Sequence, residues 1–249
     1  MSHYLKQLRV LDDQIDIHFW RQPEGVTIPF DQLKFLYVPD QVQSMMVADL
    51  ARQVYEYQMQ HIESGEQITK AVMITMGALL PGVLLHDHLA YHPDKRLPAV
   101  EFGTLGVKYY AGPGQPLEKP IVIQDVTIDV RNQVVGVVED LVDLGGTAKF
   151  VSEYLDQHGA RDTILIAPYL KSRNLIDEMN VIYFGFVPED TWIITPRERV
   201  ETLIKRVPYW QEQGATLSDC RANLAAIGYP EYLIDLYLES AYTLQAVKS

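Results

Sequence analysis

Carboxylates and glycines follow a short apolar run in residues 134–148. Glu139 and Asp140 come directly after the run, Asp143 lies three residues further on, and Gly145-Gly146-Thr147 follows. Because glycine has no side chain, the backbone N–H groups of this turn can close around a phosphate. A helix that begins at the turn points the positive end of its dipole at the same anion. Carboxylates beside such a site predict a ligand that also carries hydroxyls or a divalent cation, as a phosphorylated sugar with magnesium does.

The order strand, loop, helix in this segment also occurs earlier in the chain. Residues 71–76 form a short apolar run that is typical of a buried strand, Gly77-Ala78 follows, and residues 80–89 predict a helix. Strands alternating with helices predict an α/β fold with a doubly wound, mainly parallel sheet. Such sheets bind ligands at the carboxyl ends of their strands, where both glycine loops fall.

The composition and the apolar spacing of the sequence divide the chain into three regions. Residues 1–40 mix short apolar runs with Pro and Gly and predict an irregular N-terminal extension, and the strand patterns stop near Glu201. We therefore expect a central domain over residues 41–204 and a small helical C-terminal module over residues 205–249. In the central domain, apolar spacing predicts helices at residues 42–62 and 147–158 and strands at 99–110, 121–128, 134–138, 163–168, 181–187 and 192–194.

The overall composition narrows the class of protein. The 249 residues include 33 acidic and 21 basic side chains, and the formal net charge of −12 argues against broad binding to nucleic acid. No apolar segment approaches the ~20 residues needed to span a bilayer. The N-terminus lacks the apolar stretch of a signal peptide, and the single Cys220 suits a reducing compartment. The sequence predicts a cytoplasmic protein that binds neither nucleic acid nor membranes.

Residues 134–148 resemble the phosphoribosyl pyrophosphate (PRPP) motif of type I phosphoribosyltransferases, and they are closest to the xanthine-guanine phosphoribosyltransferase pattern. The resemblance implies that Glu139 and Asp140 bind the ribose hydroxyls and the Mg²⁺ cofactor. It implies that Asp143 lies near purine N7 as the general base. The residues implied to hold the 5′-phosphate are Leu144, Gly145, Gly146 and Thr147.

Three other places extend the resemblance over roughly residues 42–201. Met76-Gly77-Ala78, with the helix after it, resembles the family's pyrophosphate loop. Residues 190–196 resemble the purine-pocket segment, which implies that Trp192 stacks on the base and that Ile193 lines the pocket. Lys171 falls where the family places a lysine that hydrogen-bonds the purine 6-oxo group.

The chain departs from the family pattern in its loops. The pyrophosphate loop normally carries Arg or Lys followed by two glycines, and this chain has Met76-Gly77-Ala78. An arginine would hold a highly charged leaving group with planar donors, whereas methionine offers none. Leu144 replaces the usual Thr of the phosphate loop, and Arg197 stands where an aromatic residue is common.

The resemblance implies a Mg²⁺-dependent enzyme that transfers the phosphoribosyl group of PRPP to a 6-oxopurine: xanthine, guanine or hypoxanthine. It implies a homo-oligomer, since the family commonly forms dimers or tetramers. The Pro and Gly residues at 111–116 predict a loop after the strand at 99–110, and residues 111–115 of it could serve as a lid over the site. One alternative is a PRPP- or nucleotide-binding regulatory protein with little or no transferase activity, which Met76 and Ala78 favour. Another is a transferase for a different base, against which Lys171 and Trp192 argue.

Overall fold

The computed structural model describes residues 15–91, 94–112 and 115–244. In this part of the chain the strands form a main sheet of seven strands and a second sheet of three. The strands are β1 (Val26–Thr27), β2 (Lys34–Tyr37), β3 (Ile68–Thr75), β4 (Glu101–Gly112), β5 (Gln115–Gln124), β6 (Val134–Val138), β7 (Leu141–Val142), β8 (Asp162–Leu170), β9 (Val181–Phe186) and β10 (Thr191–Ile194). The helices are α1 (Ile17–Arg21), α2 (Asp40–Gln60), α3 (Leu79–Ala90), α4 (Gly146–Gln157), α5 (Leu175–Glu178), α6 (Arg199–Glu212), α7 (Leu217–Ile227) and α8 (Glu231–Thr243).

The main sheet is parallel except at one edge. Its strand order is β5-β4-β3-β6-β8, with the short β7 continuing beside β8 after β6 ends and β9 on the other side of β8. Only β5, at the edge, runs antiparallel to its described neighbour. The predicted α/β class with a mainly parallel sheet is confirmed.

The helical connections between the parallel strands of the main sheet run toward opposite edges of the sheet. From β3 the chain crosses through α3 to β4, and from β6 it crosses through α4 to β8, away from β4. Because crossovers between parallel strands are right-handed, α3 and α4 lie on opposite faces of the sheet. Adjacent strands β3 and β6 are therefore the switch point of the topology, where the carboxyl ends of strands form a ligand-binding crevice.

Central strand β6 shows why the apolar pattern was informative. All of its residues are buried, between β3 and β8, and four of the five are valine. A strand covered on both faces is apolar throughout, so it gives a continuous run. Helix α2 shows the helical repeat of apolar residues instead. One stripe of the helix is buried, formed by Val42, Met46, Leu50 and Val54.

Strands β4 and β5 form a hairpin where the sequence predicts a loop after residue 110. Pairing continues to Gly112 and resumes at Gln115. The prediction of a loop over residues 111–116 was wrong at these positions, because an edge strand tolerates proline and glycine. Residues 113–114, the tip of the predicted lid, lie outside the described residues.

The second sheet joins an early and a late segment of the chain. Strand β2 pairs in parallel with β10, and β1 pairs with β2. The sequence placed residues 192–194 in the main sheet and residues 1–40 in an irregular extension, and both assignments were wrong for these strands. Their pairing links residues far apart in sequence, which a local pattern does not reveal. The second sheet packs with α6, α7 and α8 around a separate core that includes Phe35, Ile194, Leu203, Trp210 and Leu224.

The C-terminal helices begin earlier in the chain than the predicted module. The sequence did not predict α6, which begins at Arg199, before the predicted start of the module at residue 205, and the N-cap of α7 is Thr216. Thr216 and Asp219 form a reciprocal capping box, which satisfies two backbone donors at the helix start. Within the described ranges, every helix is too short or too polar to cross a bilayer.

Candidate active site

The two glycine loops meet at the switch point of the main sheet. Gly77 follows β3, and Asp140 follows the neighbouring β6. A Cβ at position 77 would lie 2.5 Å from Oδ2 and 2.6 Å from Oδ1 of Asp140, closer than any side chain allows. Glycine at position 77 thus lets the Asp140 carboxylate rest directly on the first loop. The structure brings the predicted ribose and pyrophosphate residues together.

Glu139 and Asp140 are carboxylates held at the edge of the core. The Glu139 N–H donates to Ile166 O at 3.0 Å, which continues the pairing of β6 with β8. Asp140 Oδ1 accepts the Leu141 N–H at 2.9 Å. Glu139 Oε2 is buried and has no hydrogen-bond partner among the described residues. An orphaned buried oxygen of this kind has lone pairs free for a ligand hydroxyl or a cation.

Burial shifts the acid–base behaviour of both groups. Burial raises the pKa of Glu139 well above its ordinary value, and the nearby Asp140 charge adds to the shift. Burial also raises the pKa of Asp140, although the Arg197 guanidinium and the Leu141 N–H act in the opposite direction. In the ligand-free protein the ionised form of Glu139 therefore destabilises the fold.

We expect Glu139→Gln to stabilise the protein when Mg²⁺ and PRPP are absent. A carboxyl with a raised pKa in the folded state contributes stability below its unfolded pKa and loses that contribution as the pH rises through the folded value. The free energy of unfolding of Glu139→Gln should therefore exceed that of the wild type at about pH 8, and by less at about pH 5. Urea unfolding at both pH values measures it.

The matched control for this experiment is Glu153→Gln. Glu153 is exposed on α4, so its replacement should change the free energy of unfolding equally at both pH values. The difference in the free energy of unfolding between Glu139→Gln and the wild type should grow as the pH rises. A difference that stays constant or shrinks would contradict the burial argument.

Asp143 and Lys171 emerge side by side because β7 pairs with β8. The Lys171 N–H donates to Val142 O at 2.9 Å, and this bond extends the ladder beyond both strands. Lys171 Nζ lies 3.8 Å from Asp143 Oδ1. The Asp143 side chain is 64% exposed, and that of Lys171 is 12% exposed. A solvent-facing carboxylate is thus placed beside a sheltered ammonium.

The second glycine loop opens α4 and directs its N-terminus at the site. Gly145 is the N-cap with φ +79°, a conformation that other residues adopt only with strain. A Cβ at this position would clash with Cδ1 of Leu175, so two constraints require glycine. Gly146 has open space around it, and Leu144 is exposed. The free N–H groups of the first helical turn suit an anion.

The loop of Met76, Gly77 and Ala78 offers an anion fewer hydrogen-bond donors than the sequence suggests. The Met76 side chain is 68% exposed and has no hydrogen-bond donor. The Ala78 N–H donates to Ile74 O at 3.0 Å, so this amide is already engaged within the loop. The peptide bond between Thr75 and Met76 is cis. Charge for a pyrophosphate must therefore come from outside this loop.

No family model matches the chain, and no curated protein matches it. A purine phosphoribosyltransferase from Pyrococcus horikoshii has a similar solved structure, with 22% identity, coverage of 65% of this chain and 92% of that chain, and a TM-score of 0.50. A hypothetical protein from Neisseria gonorrhoeae, solved with bound ppGpp, has 16% identity, coverage of 68% and 91%, and a TM-score of 0.50. The chain has the type I phosphoribosyltransferase fold. At these identities the likeness establishes the fold, and chemistry has to be argued from the site.

Two predicted base-binding residues belong to the second sheet of this phosphoribosyltransferase fold. The Trp192 indole Nε1 donates to Thr202 Oγ1 on α6 at 3.0 Å, and the Arg206 guanidinium lies 5.5 Å from the ring centroid. The Ile193 side chain is buried in the main core. Among the described residues, neither side chain has a hydrogen bond or ion pair to Asp143 or Lys171. Their role in binding a base stays a prediction.

Sequence reasoning missed two residues that shape the site. Leu175 packs beneath Gly145, and no local motif marks it. Arg197 lies with Nη2 3.7 Å from Asp140 Oδ2. Its only signal in the sequence is that an arginine stands where the resembled family commonly has an aromatic residue.

Proposed function

We propose that the protein transfers the phosphoribosyl group of PRPP to a ring nitrogen of a 6-oxopurine and releases pyrophosphate. The observation that carries the proposal is the contact between Gly77 and Asp140 at the switch point. It joins the loop predicted to hold pyrophosphate with acids suited to ribose hydroxyls, beside a helix N-terminus suited to a 5′-phosphate. A ligand with these three parts in this order is PRPP.

Each part of PRPP has its own group of residues in this proposal. Glu139 and Asp140 accept hydrogen bonds from the ribose hydroxyls. The backbone of Met76, Gly77 and Ala78 lies along the pyrophosphate, with the engaged Ala78 amide contributing least. The 5′-phosphate binds at the start of α4, against Leu144, Gly145, Gly146 and Thr147.

The donor set fits Mg²⁺. Glu139 and Asp140 would hold it, because Mg²⁺ is usually bound by one or two carboxylates together with substrate oxygens. The orphaned Glu139 Oε2 supports this assignment. Within the described ranges no group of three acidic, His or Cys side chains is arranged for a metal, so the ion would arrive with PRPP. When bound, magnesium offsets negative charge on the pyrophosphate leaving group.

Asp143 and Lys171 act on the purine in this mechanism. The bond from ribose C1 to a pyrophosphate oxygen breaks, and a bond from C1 to the purine nitrogen forms. Asp143 accepts the ring proton that the purine releases as this bond forms, and its exposure lets a purine approach it. Lys171 donates to the 6-oxo oxygen and stabilises negative charge there. An ammonium favours an oxo acceptor over the amino donor of adenine, which is why we specify a 6-oxopurine.

Binding of PRPP tests this proposal independently of turnover. Isothermal titration of the protein with PRPP should show binding with Mg²⁺ present and weaker binding with Mg²⁺ chelated. The variant Asp140→Ala should bind PRPP much more weakly than the wild type. Absence of PRPP binding in the wild type would overturn the proposal.

The second candidate is a regulatory protein that binds PRPP or a nucleotide without transferring it. The observation that favours it is the exposed Met76, which supplies no cation at the pyrophosphate loop. Binding of PRPP without product from any base would support this candidate. In either case we propose a cytoplasmic homo-oligomer that does not bind nucleic acid, in keeping with the net charge of −12.

A further inference from the structure

Arg197 occupies a turn that leads into α6. The Glu198 N–H donates to Thr195 O at 2.9 Å, and this bond closes the turn around Arg197. The guanidinium faces carboxylates from two elements. Its Nη2 lies 3.7 Å from Asp140 Oδ2 and 3.2 Å from Glu198 Oε1, and its Nη1 lies 3.4 Å from Glu201 Oε2. The turn, which follows the second sheet, thus places the Arg197 guanidinium beside Asp140 of the main sheet.

Asp140 links this cation to the pyrophosphate loop. One side of the Asp140 carboxylate rests on Gly77, and the Arg197 guanidinium lies beside the same oxygen, Oδ2. Arg197 is therefore adjacent to the loop in space, although it lies more than a hundred residues away in sequence. The positive charge that the loop itself lacks at Met76 is present beside the same Asp140 carboxylate that rests on Gly77.

The contacts of Arg197 leave it able to bind a ligand. Its side chain is 34% exposed, and its two hydrogen bonds, to Glu198 and Glu201, are long at 3.2 and 3.4 Å. A guanidinium has five N–H donors in a planar fork that matches phosphate oxygens. The two long bonds use two of these donors, so others stay available to a ligand.

Resting on the proposed function, we infer that Arg197 binds the pyrophosphate group of PRPP and replaces the cation that the loop lacks at Met76. The guanidinium turns from Asp140 to the pyrophosphate oxygens as the ribose hydroxyls occupy the Asp140 carboxylate. Glu198 and Glu201 keep the side chain in place through this exchange. The residue is a binding residue for the leaving group, supplied by the segment that follows β10.

The test compares Arg197→Gln with the wild type by titration of Mg²⁺-PRPP and of Mg²⁺-pyrophosphate. Loss of charge-assisted hydrogen bonds should raise the Kd of both ligands by about 10- to 100-fold. Purine binding should change by less than about twofold. The matched control is Arg52→Gln on α2, an arginine that also bridges two carboxylates, Asp49 and Glu56, and should leave both Kd values unchanged.

A rescue experiment separates ligand binding from a structural role. The exposed position of Met76 can accommodate a longer side chain, so Met76→Arg in the Arg197→Gln background should restore most of the affinity for pyrophosphate. Wild-type affinity in Arg197→Gln would overturn the inference and leave the proposed function standing. A lowered affinity that Met76→Arg does not restore would assign Arg197 a structural role. Failure of the wild type to bind PRPP would instead reject the proposed function.

Discussion

Replacing Asp143 with Asn is expected to lower kcat by about 10²–10⁴-fold while the fold survives. The amide keeps the size of the carboxylate and cannot accept the ring proton that the purine releases. Because the Asp143 side chain is 64% exposed and its contact with Lys171 is long at 3.8 Å, little stability depends on it. Steady-state kinetics with PRPP and the best 6-oxopurine measure the effect.

Two further measurements make this test specific. Asp156→Asn, at the far end of α4 and exposed, should retain wild-type kcat. Thermal unfolding of Asp143→Asn should match that of the wild type within a few degrees, about the scatter expected of surface substitutions. Near-wild-type turnover in Asp143→Asn would remove Asp143 from the role of base.

Replacing Gly145 with Ala is expected to destabilise the protein by about 2–5 kcal/mol. About 1–2 kcal/mol comes from placing a residue with a Cβ at φ +79°, since only glycine adopts this region freely. A further contribution of about 1–3 kcal/mol comes from the clash with Leu175, which must move to admit the methyl group. Urea unfolding measures the free energy, and PRPP titration should show weaker binding because the loop is displaced.

Neighbouring Gly146 provides the control for this substitution. A Cβ there meets no atom within 4 Å, so Gly146→Ala should change the free energy of unfolding by less than about 0.5 kcal/mol. Leu175→Ala removes the clashing group, so the double variant should be less destabilised than the sum of its single variants. Strict additivity would contradict the clash as the cause.

Local patterns in the sequence were sufficient for most of the main sheet. Strands β3, β6 and β8 are covered on both faces and read as apolar runs, and α2 and α4 show a helical stripe. The strand–glycine–helix order placed both loops at the correct edge of the sheet, because parallel topology brings carboxyl ends together. The contact of Gly77 with Asp140 is the consequence.

Features that depend on distant residues were not predictable from such patterns. The second sheet pairs Lys34–Tyr37 with Thr191–Ile194, and neither segment specifies the other. Trp192 consequently packs against Thr202 on α6, a helix that the sequence did not predict. Arg197 could be noticed only as a departure from a family pattern, since its approach to Asp140 requires the second core to be in place.

The absence of a cation from the pyrophosphate loop has a different consequence in the structure than in the sequence. In the sequence, Met76 argues against a transferase because its loop has no arginine or lysine. In the structure, the Arg197 guanidinium lies beside the Asp140 carboxylate that rests on that loop. A loop without its own cation is therefore compatible with binding pyrophosphate when a second segment supplies the charge.

Nucleotide formation is the measurement that tests the central claim most directly. The protein is mixed with PRPP and Mg²⁺ and, separately, with xanthine, guanine, hypoxanthine, adenine, uracil and orotate, and nucleotide and pyrophosphate are followed together. The site at Asp143 and Lys171 predicts equal amounts of nucleotide and pyrophosphate with at least one 6-oxopurine and little product with the other bases. Absence of nucleotide with every base, from protein that binds PRPP, would contradict the transferase and leave the regulatory protein.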